Sequence, residues 1–110
     1  MVAAPVVSVE EARDLLCGPQ PPRLIDVREP DEWEIAHLPG AELLPLSQWP
    51  AIATENLTDP QQPLLVYCHH GARSGHAVEF LESRGFTRAT NVAGGIDAWA
   101  ARIDPQLRRY

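Results

Sequence analysis

Cys68 ends an apolar run and is followed by His69-His70-Gly71-Ala72-Arg73-Ser74, which puts a single thiol between a strand and a helix. Leu64 to Tyr67 reads as a short buried strand, and from Ser74 onward the apolar residues take helical spacing. The residues between must therefore turn tightly, with backbone N–H groups pointing inward at the sulfur. A helix N-terminus carries roughly half a positive charge, and cysteines placed there have pKa values lowered from ~8.5 to as little as ~3.5–7.5. The chemistry expected of Cys68 is that of a nucleophilic thiolate at neutral pH.

Loop size selects among nucleophilic chemistries. Four residues separate Cys68 from Arg73. A ring of amides that small can cradle one charged sulfur atom, as in a persulfide, whereas a tetrahedral phosphate or arsenate needs more room. Arg73 offers a planar fork of donors to an anionic substrate group; the alternative is an arginine at a helix start, paired with a carboxylate. Gly71 is expected to take a positive φ that keeps the loop tight. The candidate substrate-binding residues are His69, His70, Gly71, Ala72, Arg73 and Ser74, with the two imidazoles lining the rim. A metal reading of Cys68, His69 and His70 is set aside, because adjacent ligands do not turn easily toward one ion and no fourth partner is evident.

The elements that position this loop can be read along the chain. Val6 and Val7 suggest a first strand, and Ser8 with Glu11 makes a capping box for a helix running to about Cys17, where Gly18 and Pro19 stop it. Arg23 to Val27, Ala41 to Leu44, Leu64 to Tyr67 and Thr90 to Ala93 read as further strands. Helices are expected over Pro30 to Ile35, Ser47 to about Ala53, Ser74 to Arg84 and Ile96 to Arg102, with Gly85 as a C-terminal stop. Strands alternating with helices imply an α/β fold, a mainly parallel sheet covered on both faces. Ligands in such folds bind beyond the carboxyl ends of the strands, an edge that would collect Cys68, Asp26 to Arg28 and Gly94-Gly95. Cys17 should lie at the opposite edge, because the first helix runs back about 14 Å at ~1.5 Å per residue. It reads as a bystander thiol. His76 falls at the border of its helix and reads as solvated, and His37 as a hydrogen-bonding turn residue.

Composition sets outer bounds. The chain has 110 residues, 45% of them hydrophobic, a net charge of -6 and nine basic residues that are all arginine. That length suits one domain over residues 1–110 with one core. The negative field disfavours nucleic acid and anionic membranes, and it requires a local cation wherever an anionic substrate binds. Met1 to Val7 lack the charged and apolar regions of a leader, so the expected location is cytoplasmic. Two cysteines, one of them placed for reactivity, do not make a disulfide framework.

The six residues from Cys68 to Arg73 resemble the active-site loop of the rhodanese (thiosulfate sulfurtransferase) homology family, whose phosphatase relatives carry a loop one residue longer. Leu24-Ile25-Asp26-Val27-Arg28-Glu29, then Glu32-Trp33 and His37-Leu38-Pro39-Gly40-Ala41, resemble the family's first signature; Gly94-Gly95-Ile96-Asp97-Ala98-Trp99 resembles its last. Ala36 stands where the family commonly has glycine, which bears on the local turn. The resemblance implies the rhodanese-like fold, a five-stranded mainly parallel sheet, and a sulfurtransferase that moves a sulfane sulfur from thiosulfate or a similar donor to a thiol or cyanide through a Cys68 persulfide. No metal or organic cofactor is implied. An alternative is a sulfur-relay module that passes persulfide between partners, such as a thioredoxin-like or sulfur-carrier protein. Asp26 and Arg28 are supporting residues: either they orient Arg73 or tune the thiolate, or they form loop-holding ion pairs, Arg28 with Glu32.

Overall fold

The computed structural model describes residues 5–110, so Met1 to Ala4, part of the segment read for a leader, lie outside the described residues. Strands β1 (Val6–Val7), β2 (Arg23–Asp26), β3 (Glu42–Leu43), β4 (Leu64–Tyr67) and β5 (Ala89–Val92) form one sheet in the order β1-β5-β4-β2-β3. Every pairing is parallel. Between and after them lie helices α1 (Val9–Leu16), α2 (Pro30–Ile35), α3 (Ala51–Asn56), α4 (Ala72–Ser83) and α5 (Gly95–Arg102). This is the five-stranded parallel sheet with flanking helices that the sequence implies.

Side chains alternate across a strand, and β4 uses both directions because it is buried on both faces. Leu64 and Val66, with Cys68 just beyond, pack with Ala53 of α3 and Ala77, Val78 and Leu81 of α4. Leu65 and Tyr67 pack the other way, with Val9 and Ala12 of α1 and Ile96 and Trp99 of α5. The central strand can therefore be apolar throughout. From β2 the chain steps outward to β3, and from β4 it steps to the other side, to β5. The carboxyl ends of β2 and β4 border the crevice this reversal leaves, where such folds place ligands.

Local signals set most element ends. At α1, Ser8 Oγ accepts from the Glu11 N–H and the Glu11 carboxylate accepts from the Ser8 N–H, both at 3.1 Å, which completes the expected capping box. The helix expected over Ser47 to Ala53 is instead a 3₁₀ turn, Leu46–Gln48, followed by α3. Pro50 is the reason: it favours extended backbone in the residue before it, and Trp49 adopts φ -81°, ψ 150°. Ala36, in place of the family's common glycine, has φ -168° and ψ 150°, extended backbone open to any residue. Among the described residues, no helix is long and apolar enough to cross a membrane.

Candidate active site

Cys68 follows β4 directly and is 1% exposed. The chain then turns through His69 and His70 to Gly71, which has φ 110° and ψ -10° and caps α4. This left-handed conformation is the one expected of Gly71, and α4 starts immediately after it, two residues earlier than the apolar spacing suggested. Arg73 and Ser74 therefore lie in the first turn of α4. The Gly71 N–H donates to Cys68 Sγ at 3.1 Å, and Ser74 Oγ lies 3.2 Å from the same sulfur. The positive end of α4 is thus directed at the thiol.

A second helix N-terminus braces the loop from behind. The Ile96 N–H donates to the Cys68 carbonyl at 2.9 Å, and the Asp97 N–H to the His69 carbonyl at 3.1 Å. These bonds need the backbone of α5 pressed against the loop, and glycine permits it: Gly95 has φ 57°, and a Cβ there would lie 2.6 Å from the His69 carbonyl oxygen and closer still to that of Cys68. The Gly94-Gly95 motif thus holds the thiol loop, although its residues are distant in sequence.

Arg73 places both terminal nitrogens on Glu32, at 2.7 and 2.9 Å. The Glu32 carboxyl is drawn down to about 2, chiefly by Arg73, against the opposing effect of burial. Of the two readings of Arg73, the geometry displays the carboxylate pair. Tyr110, which carries no motif signal, donates its hydroxyl proton to Glu32 at 2.7 Å and stacks its ring on His69 at 3.9 Å. Burial and the neighbouring His70 hold His69 below the ordinary histidine range. Its Nε2 is buried without a hydrogen-bond partner among the described residues.

Arg28 does not pair with the Glu32 carboxylate, as the resemblance suggested, and Asp26 does not orient Arg73. Asp26 and Arg28 instead pair with each other at 2.7 Å, both side chains fully buried. They stand two apart at a strand end and project to the same side. Arg28 meets Glu32 only at its backbone carbonyl, at 3.2 Å, and also donates to the Ala36 carbonyl and the Tyr110 hydroxyl. The pair ties the β2 exit to the carbonyls of Glu32 within α2 and Ala36 at its C-terminal end. Asp26→Asn should cost about 3–5 kcal/mol of stability, because it leaves a buried guanidinium without its counter-charge. Urea denaturation checks this, and a loss below about 1 kcal/mol, the range of an exposed pair, would contradict it.

The other expectations can be placed briefly. His70 is exposed, its Nε2 3.7 Å from Asp97. His69, His70 and Asp97 bring ligand-type atoms within 4.8 Å of one another, but both Asp97 oxygens accept from Arg109, which an ion would have to displace. Ala72 is exposed at the first position of α4, and His76 is also exposed. His37 stacks on Trp33 at 3.7 Å, with Nδ1 3.0 Å from the Trp33 carbonyl oxygen. Cys17 is exposed and free at the end of α1, where nearby Leu15 borders a hollow with Pro22, Pro63 and Leu64 at the strand starts. It is at the edge opposite Cys68. Asn91 on β5 was not among the sequence candidates, yet it contacts both Ser74 and Gly71.

The family model for the rhodanese-like domain matches residues 8–102. The chain is 38% identical over 110 residues to the chloroplastic rhodanese-like/PpiC domain-containing protein 12 of Arabidopsis thaliana, covering 94% of this chain and 36% of that protein. It is 38% identical over 106 residues to the probable adenylyltransferase/sulfurtransferase MoeZ of Mycobacterium tuberculosis, covering 94% of this chain and 26% of that one. The chain therefore spans well under half the length of these curated relatives. The human single-domain sulfurtransferase TSTD1 superposes with a TM-score of 0.76 at 32% identity, covering 90% of this chain and 97% of that one. Sequence, sheet order and loop geometry agree on one conclusion: this chain belongs to the rhodanese-like domain family.

Proposed function

We propose that this chain, as one rhodanese-like domain, is a sulfurtransferase that carries sulfane sulfur on Cys68. The observation that carries the reading is the Gly71 N–H on Cys68 Sγ at 3.1 Å beneath the N-terminus of α4, in a domain whose relatives include proteins named as sulfurtransferases. The thiolate attacks the outer sulfur of thiosulfate or a similar donor, the donor's S–S bond breaks, and sulfite leaves with the bonding electron pair. An acceptor thiolate or cyanide then attacks the outer sulfur of the persulfide and Cys68 leaves as thiolate, a two-step exchange through a covalent intermediate. The proposed machinery is Cys68 as nucleophile and His69, His70, Gly71, Ala72, Arg73 and Ser74 around the donor, with Asp26 and Arg28 supporting the loop. No metal or organic cofactor enters these steps. A thiol only 1% exposed favours a slender terminal sulfur as the group it meets.

The Arg73–Glu32 pair favours the second reading, a relay that takes persulfide from one protein and gives it to another, such as a thioredoxin-like or sulfur-carrier protein. A small dianion needs a cation, and Glu32 offsets this one. Steady-state kinetics with thiosulfate and with a low-molecular-weight thiol persulfide test the choice. Glu32→Gln should raise kcat/KM for thiosulfate roughly fivefold, mainly through KM, since about 1 kcal/mol of attraction to Arg73 is restored. The thiol persulfide should respond less than twofold, roughly the scatter expected of a change away from its contacts. An unchanged thiosulfate KM would contradict the assignment of Arg73 as the offset cation.

A further inference from the structure

We infer that Asn91 acts as a positioning residue that fixes which way the Ser74 hydroxyl points, and thereby restrains the ionisation of Cys68. The inference deepens the proposed role of Cys68 and rests on it. Asn91 Nδ2 lies 3.0 Å from the Gly71 carbonyl oxygen, which can only accept, so the amide NH₂ must face Gly71. Oδ1 is then turned toward Ser74 Oγ at 2.6 Å, and an amide oxygen can only accept. Ser74 has one hydroxyl proton, and this short bond takes it. What Ser74 presents to Cys68 Sγ at 3.2 Å is a lone pair, which suits a thiol S–H donor and not a thiolate.

Ser74 is fully buried, so water does not replace the missing donor. When the Cys68 proton departs to solvent, the Ser74 hydroxyl must leave Asn91 and rotate toward the sulfur before it can stabilise the thiolate. The Gly71 N–H is then the donor already in place. The proton cannot pass onward through Ser74, because the Asn91 amide oxygen does not accept one at neutral pH. Asn91 thus couples the two ends of the loop: one end of its amide anchors the Gly71 turn and the other sets the polarity of Ser74.

The test is the pH dependence of Cys68 alkylation by iodoacetamide, read by mass spectrometry in a Cys17→Ser background. Asn91→Ala frees the Ser74 hydroxyl to donate to the thiolate, so the alkylation midpoint should fall by roughly one to two pH units, the worth of one hydrogen bond to a charged group. The same substitution in a Ser74→Ala protein should not lower the midpoint. This double-mutant cycle separates positioning from general loosening of the loop. Arg73 on α4, Glu32 on α2, Asp97 on α5, and His69, His70 and Tyr110 surround the loop in all four proteins. If Asn91→Ala does not fold, Asn91→Val, suited to a strand, carries the same expectation. A midpoint that stays or rises in the Ser74 protein, or falls equally without Ser74, would overturn the inference. Alkylation needs no sulfur donor, so failure here is distinct from failure of the sulfur-transfer reading.

Discussion

Cys68→Ala should reduce sulfur transfer by more than about a thousandfold, to the uncatalysed background, whichever donor is used. The loop amides and Arg73 would remain, but nothing would be left to form the S–S bond. The substitution removes one buried sulfur atom, so it should cost on the order of 1 kcal/mol in stability, small beside this loss of activity. Cys17→Ser, at the opposite edge of the sheet, should keep turnover within about twofold of the parent. Side-by-side kinetics of the two variants check both halves. Residual turnover in Cys68→Ala that disappears on changing Cys17 would assign the chemistry to the wrong thiol.

The second large effect is expected at Gly95, which touches no substrate in the proposed reaction. Gly95→Ala puts a Cβ against the backbone carbonyls of Cys68 and His69, neither of which can swing aside as a side chain could. The loop must move, and the bonds from Ile96 and Asp97 to those carbonyls must stretch. Displacement of a reacting group by about 1 Å can cost on the order of 100-fold in rate, and overpacking of this kind costs about 1–3 kcal/mol in stability. The expected result is therefore a kcat loss of about 100-fold in a protein that still folds. Turnover within a factor of about three of the parent would show that the Gly95 contact does not position the thiol.

Much of this architecture is legible in the sequence because its signals are local. The Ser8–Glu11 box, Pro30 at the start of α2 and the apolar Leu64 to Tyr67 run each act within a few residues. Gly71 could likewise be read, since a tight turn needs φ > 0. Pro50 is the local signal that divides the Ser47 to Ala53 segment into a 3₁₀ turn and α3. The Arg28–Glu32 ion pair is an expectation of the family resemblance, whereas Asp26 and Arg28, two apart at one strand end and on the same side of it, pair with each other. Glu32 was thus absent as the partner of Arg73, although its own signature motif named it. Asn91 and Tyr110 act across the fold, on residues no sequence window joins to them. Of the two, Asn91 left a trace: an amide near the active edge of a parallel strand needs polar partners. Tyr110 left none.

The central claim is that Cys68 carries the sulfur, and intact-protein mass spectrometry followed by peptide mapping tests it most directly. After brief exposure to thiosulfate or to a thiol persulfide, the protein should gain the mass of one sulfur atom, located on the peptide containing Cys68 and removed by dithiothreitol. Cys68→Ala should gain nothing under the same conditions. An adduct that maps to Cys17, or that persists in Cys68→Ala, would contradict the account.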